Sequence, residues 1–524
     1  MKYPIGIQTF EQIINNGFVY VDKTDMVYAL ATEGKTYFLS RPRRFGKSLL
    51  LSTLRAYFEG KKELFKGLKI DKLEKDWHAH RVLHIDFNGV VFTRPGALED
   101  ELDKQLSTWE EEYHLPKGTR EMYGWRFEQI VQAIYTETGR GAVVLIDEYD
   151  KPLLDVLEMD PELLNNNREI LKAFYSVFKR TDAYLRFVFL TGVTKFSQVS
   201  VFSGFNQPLD ISMTEKFEAL CGITEEELHT QFAEPIREMA QAENCTEEEM
   251  KLQLKKQYDG YHFSENMTDI YNPFSVLNSF DSKDIRDFWF ATGTPTYLIR
   301  LMNHFNEGID ELTGREYSLD EFVNYKADTE YPLPMIYQSG YLTIKNYDRE
   351  MDMFLLDFPN NEVKRGFLAM VASNYLQSGQ PMDSWIKRAV LSLRRGQIDQ
   401  FRQMLTAFLA SIPYSMRRKD EERERERYFQ YTFYLLLRLM SVYTVYIEKE
   451  QSEGRVDCVI ETPQFVYIFE FKLDGTAAGA LQQIEDKGYA REYEADARPV
   501  HKIGVNFSSE TGTIEGWEAS LHQK

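Results

Sequence analysis

Residues 36–58 constrain the fold of this chain more than any other segment, because they join a strand pattern to a helical pattern through a basic loop. The apolar run TYFLS is followed by RPRRFGKS and then by LLLSTLRAYF. A phosphate-binding loop ends as Gly46-Lys47-Ser48 does here, but its pattern G-x-x-x-x-G-K-[ST] has a glycine where this chain has Arg41. Such loops bind anions because backbone N–H groups and a helix N-terminus point at the same oxygens. The segment predicts a strand, a phosphate loop and a helix.

The first part of the chain alternates apolar runs with helical patterns. The runs lie at residues 36–40, 81–87, 142–147 and 185–192. Repeated β-α-β crossovers predict the doubly wound parallel sheet of a P-loop NTPase, which we expect over residues 1–212. A mainly helical, aromatic-rich region with a winged-helix-like character is expected over 213–380. Two β-type runs, a helix and a last strand then predict a compact α/β unit within 381–524.

Two carboxylates are predicted at the end of a buried strand, in the run GAVVLIDEYD at residues 141–150. We expect Lys47 to bind the phosphates of ATP, and Ser48 and Asp147 to hold Mg²⁺ and its water. Glu148 is expected to polarise the attacking water as a general base.

A strand that ends in Asp-Glu is by itself more often a plain strand before a polar loop. Its combination with the Gly-Lys-Ser loop in one α/β pattern is what predicts an ATP site.

Further residues are candidates for contact with the nucleotide. Thr191 and Thr194 lie at the end of a later strand, and one of them is expected to sense the γ-phosphate. The alternative is a threonine that caps the next turn. Besides Gly46, the loop offers Arg43 and Arg44, which we expect to face phosphate. The alternative is that these two arginines support the loop or a neighbouring subunit.

A second candidate site lies in the C-terminal run EGRVDCVIETPQFVYIFEFKL. Glu470 and Lys472 share one face of a strand because side chains alternate with a period of two, and Phe471 points to the core. Asp457 on the preceding strand and Glu470 can jointly hold Mg²⁺, which prefers oxygen ligands. Lys472 can orient water or stabilise a pentavalent phosphate. The alternative is an exposed edge hairpin with a salt-bridged face.

Several segments together resemble the bacterial AAA-ATPase-like family. They are FVYVDKTDMVYAL, RPRRFGKSLL, VVLIDEYDKPL, LTGVTKFSQVSVFSGFNQPLDIS, YDGYHF and YNPFSVL. In that family the ATPase is followed by a nuclease-like domain of the P-D-(D/E)-x-K superfamily, so the resemblance implies a C-terminal restriction-endonuclease-like α/β domain. It also implies that RPRRFGKS is the usual loop and that Arg41 is a family trait. The segment YVDKT at residues 20–24 is implied to lie near the base of the nucleotide.

The resemblance assigns further residues to the nuclease-like site. Gln483 and Tyr489 match the family's Q…Y pair, and Gln483 is implied to orient the catalytic lysine or the scissile phosphate. Glu426 matches the acid of the first helix, with Glu450 as a competing acid. The chain departs from the pattern where Gln430 replaces a histidine and where a valine precedes Asp457 in place of proline.

Charge and composition restrict the partners. The formal net charge is −20, which opposes nonspecific binding to nucleic acid unless basic patches or metal ions act locally. Residues 386–402 are the better basic candidate, because 415–427 alternates in sign like a self-paired helix face. The alternative for 386–402 is an ordinary amphipathic surface helix. The apolar run at 431–447 contains Arg438 and is expected to be an amphipathic helix that runs into a strand. Three separated cysteines and an N-terminus unlike a signal peptide predict a cytoplasmic protein with no membrane association.

The sequence therefore predicts an ATP-binding, ATP-hydrolysing protein fused to a Mg²⁺-dependent phosphodiesterase that acts on nucleic acid, with DNA as the first candidate. Nucleotide state is expected to control the nuclease. One alternative is a nucleotide-switched binding or assembly protein whose nuclease-like domain does not cut, and another is an ATPase that acts on proteins only. A homo-oligomer would fit, since ring-forming ATPases receive an arginine in trans; Arg168, Arg180 and Arg186 are open candidates.

Overall fold

The computed structural model describes residues 1–195, 208–289, 312–323, 332–376, 382–411, 444–451 and 454–522. The chain forms two compact units, Met1–Lys364 and Arg365–Lys524. The domain limits expected at residues 212 and 380 stay a prediction. No helix in the described ranges is long and apolar enough to cross a bilayer.

The first half of the first unit alternates helices with strands. Its elements are α1 Phe10–Asn15, α2 Thr24–Glu33, β1 Thr36–Ser40, α3 Lys47–Phe58, a 3₁₀ turn Lys62–Phe65, α4 Lys69–Leu73, β2 Val82–Asp86, α5 Ala97–Glu112, α6 Tyr123–Thr138, β3 Ala142–Asp147, α7 Lys151–Leu154, α8 Pro161–Arg180, a 3₁₀ turn Asp182–Tyr184, β4 Leu185–Gly192 and β5 Leu209–Asp210.

These five strands form one sheet in the order β2-β3-β4-β1-β5, and every pairing is parallel. All six residues of β3 are buried, which explains its unbroken apolar run, since helices cover both faces of such a sheet. The four predicted strands and the parallel α/β fold are confirmed. The order places β4 between β1 and β3, so the carboxyl ends of all three lie side by side at one edge.

The second half of the first unit is mainly helical, as predicted. Its elements are a 3₁₀ turn Glu215–Phe217, β6 Ile223–Thr224, α9 Glu225–Gln231, α10 Ala233–Ala242, α11 Glu247–Tyr258, β7 Ile270–Tyr271, α12 Pro273–Ser282, β8 Arg315–Tyr317, α13 Leu319–Val323, α14 Leu333–Gln338, β9 Thr343–Asp348 and β10 Met353–Asp357. Capping boxes at Thr224 and Thr246 begin α9 and α11.

The antiparallel sheet β8-β10-β9 in this half was not predicted. Its strands have only three to six residues and carry charged side chains, among them Arg315 and Lys345. A strand this short gives too few alternating positions to stand out in a sequence.

The second unit contains a mixed sheet with helices packed against it. Its elements are α16 Met382–Arg394, α17 Ile398–Ala410, β11 Thr444–Gln451, β12 Gly454–Glu461, β13 Val466–Leu473, α18 Ala477–Asp486, a 3₁₀ turn Arg491–Tyr493, β14 Val500–Phe507 and β15 Ile514–His522, preceded by α15 Asn361–Leu376. The strand order is β11-β12-β13-β14-β15, in which only β13 and β14 pair in parallel.

The predicted hairpin, helix and last strand of the C-terminal unit are confirmed as β12, β13, α18 and β14. Strand β11 begins at Thr444, within the run predicted to be a helix leading into a strand. The helical part of that prediction lies outside the described residues. The final strand β15 was missed, because this edge strand is only partly buried and lacks a clear apolar alternation.

Candidate functional site

The loop between β1 and α3 has the backbone of an anion-binding nest. Arg44 has φ +68° and Gly46 has φ +92°, and these are the two left-handed residues between Ser40 and Ser48. Alternation of left-handed with other residues makes successive N–H groups converge on one point. A Cβ atom on Gly46 would have no atom within 4 Å, so a phosphate oxygen can approach the backbone there. The N-terminus of α3 adds its partial positive charge.

Position 41 does not need a glycine in this loop. Arg41 is not left-handed, and its side chain is 1% exposed. Its guanidinium donates to the carbonyl oxygens of Ser40 at 2.9 Å and Ser212 at 2.6 Å, and lies 4.1 Å from the ring centre of Phe263. Burial lowers the pKa of this guanidinium. Arg41 therefore fastens the loop to the segment that follows the sheet, while the left-handed conformation falls on Arg44.

The residues predicted to hold Mg²⁺ at the nucleotide meet at Asp147. The hydroxyl of Ser48 donates to Oδ2 of Asp147 at 2.6 Å, and the hydroxyl of Thr191 donates to Oδ1 at 2.6 Å. Asp147 is 2% exposed. Hydroxyl and carboxylate oxygens are ligands that suit Mg²⁺, and a strand end beside a phosphate loop is where such a pair serves the metal of a P-loop NTPase. The donor set therefore fits the ion.

Lys47 and Glu148 lie at the same edge of the sheet. The ammonium of Lys47 donates to the carbonyl oxygens of Arg41 at 3.0 Å and Pro42 at 3.3 Å, and is 3.6 Å from Oε1 of Glu148. Glu148 has φ +53°, a conformation that costs a residue with a side chain about 1–3 kcal/mol. This strained position turns the carboxylate toward the lysine. The structure thus brings the predicted phosphate ligand and the predicted general base together.

Thr194, the other predicted sensor, bonds a different acid. Its hydroxyl and backbone N–H both donate to Oδ2 of Asp150 at 2.7 Å, and the N–H of Val193 donates there at 3.0 Å. Asp150 is fully buried, and burial followed by repulsion from Glu148 raises the pKa of its carboxyl to about 6. Asp150 joins the end of β3 to the turn after β4. Sequence reasoning missed it, although it is the third acid of the run IDEYD.

The remaining residues predicted to contact the nucleotide are Arg43, Arg44 and the segment at residues 20–24. Arg43 and Arg44 have exposed side chains, and the guanidinium of Arg44 lies 5.1 Å from the ring centre of Phe274. In the segment at residues 20–24, the ammonium of Lys23 contacts both carboxylate oxygens of Glu227 at 2.6 Å. Burial lowers the pKa of Lys23. Contact of the arginines with phosphate and of residues 20–24 with the base stay predictions.

The second unit assembles the four predicted nuclease residues. Cys458 on β12 and Phe469 on β13 form an antiparallel pair, and Asp457 and Glu470 are the next residues on the same side of that pair. The N–H of Phe471 donates to the carboxylate of Asp457 at 2.8 Å. The amide oxygen of Gln483 on α18 accepts from the ammonium of Lys472 at 2.6 Å, and its NH₂ group donates to Oε1 of Glu470. The Lys472 ammonium is 3.7 Å from the same oxygen.

The position of this cluster excludes the exposed edge hairpin. Strand β13 is the central strand of five, and Glu470 is 2% exposed. Phe471 is buried against Phe469 and Phe507, as predicted. The hydroxyl of Tyr489, the partner of Gln483 in the Q…Y pair, donates to the carbonyl oxygen of Arg455 at 2.9 Å. Glu426 and Gln430 lie outside the described residues, as does the side chain of Glu450.

Glu470 carries the electrostatic signature of a cation site. Its Oε2 is buried and has no hydrogen-bond partner in the described part of the chain. Burial, and next repulsion from Asp457, raise the pKa of Glu470 to about 7. A divalent cation between the two carboxylates would relieve both effects. Within the described ranges no group of three or more His, Cys, Asp or Glu side chains is placed to hold a metal ion. Mg²⁺ bound to two carboxylates usually completes its shell with water and substrate oxygens.

Comparison with known proteins identifies the family of the first part of the chain and the superfamily of the last part. A family model described as a predicted AAA-ATPase matches residues 4–202, and a model of the PD-(D/E)XK nuclease superfamily matches residues 424–517. The "Uncharacterized protein in vnfD 5'region" of Azotobacter chroococcum mcd 1 is 36% identical over 525 residues, which span 98% of each chain. The chain belongs to the AAA-ATPase-like family. Its C-terminal part is a domain of the PD-(D/E)XK nuclease superfamily.

Two solved structures resemble parts of this AAA-ATPase-like protein. The ORC2 protein of Aeropyrum pernix, in ADPNP–ADP complexes, is 11% identical and matches 67% of this chain and 94% of its own, with a TM-score of 0.26. The ORC1 protein of Aeropyrum pernix, in complex with DNA, is 12% identical and matches 67% of this chain and 93% of its own, with a TM-score of 0.23. Scores this low say nothing about ligands. The parallel sheet, the helical half that follows it and the family matches at residues 4–202 and 424–517 confirm the predicted fold class, with a P-loop sheet, a helical middle and a restriction-endonuclease-like domain.

Replacement of Arg41 tests whether its side chain stabilises the attachment of the phosphate loop to the segment that contains Ser212. Arg41→Met removes the donors to Ser40 and Ser212 and leaves buried carbonyl groups without partners, so we expect a loss of about 2–3 kcal/mol in the free energy of unfolding. Thermal unfolding without nucleotide measures it. Arg43→Met, in which the lost side chain is exposed, is the control and is expected within about 0.5 kcal/mol of wild type. Equal unfolding temperatures for both variants would contradict the role.

The raised pKa of Glu470 predicts pH-dependent metal binding. The metal needs the carboxylate, and below a pKa of about 7 a proton occupies it. We expect the Mg²⁺ affinity of the nucleotide-free protein to be roughly tenfold weaker at pH 6 than at pH 8, with release of about one proton on binding at pH 6. Isothermal titration in buffers of different ionisation enthalpy measures both. Glu470→Gln is the control. If Mg²⁺ binding by that variant keeps the same pH dependence, the titrating group is not Glu470.

Proposed function

We propose that this protein binds and hydrolyses ATP with Mg²⁺ in its first unit, cuts phosphodiester bonds of nucleic acid with Mg²⁺ in its second unit, and uses nucleotide state to control the cutting. The observation that carries the proposal is that the described residues of each constellation lie in contact with one another. Ser48, Asp147 and Thr191 meet at one carboxylate, and Lys472 and Glu470 meet at the amide of Gln483.

In the ATPase, the residues of the chain act by positioning and by charge. Mg²⁺, when bound, neutralises charge on the β- and γ-phosphates. The nest at residues 44–46 and the Lys47 ammonium hold the phosphate oxygens, and Ser48 and Asp147 would hold the ion. Glu148 accepts a hydrogen bond from the attacking water and aligns it with the γ-phosphorus. Thr191, fixed by its bond to Asp147, registers whether the γ-phosphate is present.

In the nuclease, hydrolysis forms a P–O bond to water and breaks the P–O bond to the leaving sugar oxygen, which gains a proton as the water loses one. Mg²⁺, when bound, supplies charge that stabilises the phosphate and activates the water. Asp457 and Glu470 would hold the ion. Lys472 donates a hydrogen bond to the phosphate oxygen that gains charge. Gln483 fixes the direction of the Lys472 ammonium, with 2.6 Å between amide oxygen and nitrogen.

Contact with nucleic acid needs a local basic surface, because the net charge of the chain is −20. Helix α16 and the residue that follows it offer one, since Lys387, Arg388 and Arg394 on the helix and Arg395 after it are all exposed. Lysine and arginine at such a surface bind phosphate without regard to sequence, and the affinity then falls with salt. DNA is the first substrate to test. The support for nucleotide control is the presence of both sites on one chain.

A second function is favoured by the same cluster. Oε1 of Glu470 already accepts a hydrogen bond from Gln483, and a pKa of about 7 leaves this group half protonated at neutral pH. A site that keeps its proton in place of a cation would not cut, and the protein would then be a nucleotide-switched binding or assembly protein. The Mg²⁺ titration described above separates the two, since the non-cutting protein shows no binding that Glu470→Gln removes.

Two substitutions test the ATPase separately. Lys47→Ala removes the phosphate ligand and is expected to abolish ATP binding. Glu148→Gln keeps the size of the side chain and one acceptor oxygen but removes the base, so ATP binding is expected within about threefold of wild type while hydrolysis falls by about 100-fold or more. Titration with ATP and release of inorganic phosphate measure them. Lys62→Ala, on an exposed turn, is the control. Hydrolysis by Glu148→Gln at the wild-type rate would remove Glu148 from the proposal.

Cleavage assays test the nuclease and its control by nucleotide. Plasmid, linear duplex, single-stranded DNA and RNA are incubated with Mg²⁺ or Mn²⁺ and with ATP, ADP or no nucleotide. We expect cleavage that depends on nucleotide state and that Lys472→Ala reduces by about 100-fold or more. Lys487→Ala, at the exposed end of α18, is the matched control. No cleavage by wild type in any condition, or equal cleavage by Lys472→Ala, would refute the nuclease and support the binding protein.

A further inference from the structure

The phosphate loop is held from outside the parallel sheet, by elements that follow it in the first unit. Every loop residue from Arg41 to Phe45 makes such a contact. Two are hydrogen bonds: the guanidinium of Arg41 donates to the carbonyl oxygen of Ser212 at 2.6 Å, and the carbonyl oxygen of Arg43 accepts from the indole of Trp289 at 3.2 Å. Two are ring contacts: the guanidinium of Arg44 lies 5.1 Å from the ring centre of Phe274, and the rings of Phe45 and Tyr261 are 4.8 Å apart. Pro42 packs on Gly340 so closely that a Cβ on this glycine would lie 2.5 Å from Pro42.

The bond from Trp289 differs from the others because it acts on the backbone of the nest. The indole N–H donates to the carbonyl oxygen of Arg43. That carbonyl and the N–H of Arg44 belong to one planar trans peptide group and point in opposite directions. Holding the carbonyl toward Trp289 therefore turns the Arg44 N–H to the other side. Arg44 has φ +68°, which a residue with a side chain adopts only when its surroundings hold it there.

Trp289 is itself fixed by a buried acid. Its backbone N–H donates to Oε1 of Glu362 at 2.6 Å, and the hydroxyl of Ser275 donates to Oε2 of the same carboxylate at 2.7 Å. Trp289 is 6% exposed and Glu362 is 1% exposed. The indole also packs on the ring of Tyr341, with 5.1 Å between centroids. The donor that faces the loop is thus held at a defined place and has little freedom to move with the loop.

We propose that Trp289 is a positioning residue for nucleotide binding, which holds the Arg43–Arg44 peptide in the orientation that the phosphate nest needs. The inference rests on the proposed binding of ATP. Without the indole donor, Arg44 can relax from its left-handed conformation, and its N–H then leaves the point on which the N–H groups converge. Nucleotide binding would then have to return Arg44 to its left-handed conformation. The free energy that this change costs is subtracted from the binding free energy of ATP, so the affinity falls.

The test is Trp289→Phe, which keeps an aromatic ring against Tyr341 and removes the N–H donor. We expect the Kd of ATP with Mg²⁺, measured by isothermal titration on the full chain, to rise about five- to twentyfold. At saturating ATP, where binding restores the peptide, kcat is expected within about twofold of wild type. Hydrogen exchange of the nucleotide-free protein should show faster exchange of the amides of residues 44–46. Trp125→Phe is the control, because Trp125 is 42% exposed.

The outcomes separate this inference from the proposed function. Unchanged affinity in Trp289→Phe, with wild type and Trp125→Phe binding ATP, would overturn the inference and leave ATP binding intact. No binding of ATP by wild type would overturn both. If Trp289→Phe does not fold, Ser275→Ala takes its place, since it only loosens Glu362. That variant is expected to weaken ATP binding about two- to threefold, and wild-type affinity with wild-type exchange at residues 44–46 would overturn the inference.

Discussion

The carboxylate of Asp147 joins three elements that are far apart in the chain. One oxygen accepts a hydrogen bond from Ser48 at the start of α3, and the other accepts one from Thr191 at the end of β4, both at 2.6 Å. These bonds join α3, β3 and β4 at one edge of the sheet through one buried carboxylate, because β4 lies between β1 and β3. The placement of the phosphate loop, of Lys47 and of Glu148 at this edge depends on that closure.

The two acidic sites differ in how fully their oxygens are satisfied. Both oxygens of Asp147 accept hydrogen bonds from hydroxyl groups, so that site is organised before any ligand arrives. One oxygen of Glu470 is buried without a partner among the described residues, and the pKa of the group rises to about 7. The oxygens of Asp147 therefore need no further partner before a ligand binds. The unpaired oxygen of Glu470, in contrast, is stabilised by either a proton or a cation. This difference is the physical reason to expect strong pH dependence in the second unit.

Local patterns predicted much of this architecture. Four of the five strands of the parallel sheet, the Gly-Lys-Ser turn and the hairpin with Asp457, Glu470 and Lys472 follow from short runs whose period or spacing is visible in the sequence. The short sheet β8-β10-β9 and the edge strand β15 were missed because few of their residues alternate. Asp150 was missed for another reason, since its partners Val193 and Thr194 lie more than forty residues away, in the turn after β4.

The phosphate loop shows where sequence and tertiary structure divide their contributions. The sequence by itself determined that a strand, a basic loop and a helix meet at Gly46, because these depend on residues adjacent in the chain. Only the tertiary structure decided what the arginines do. Arg41 became a buried fastener to Ser212, and the backbone of Arg43 and Arg44 is held by Trp289, itself held by Glu362. Those partners lie more than a hundred residues away, and their meeting depends on how the whole first unit packs.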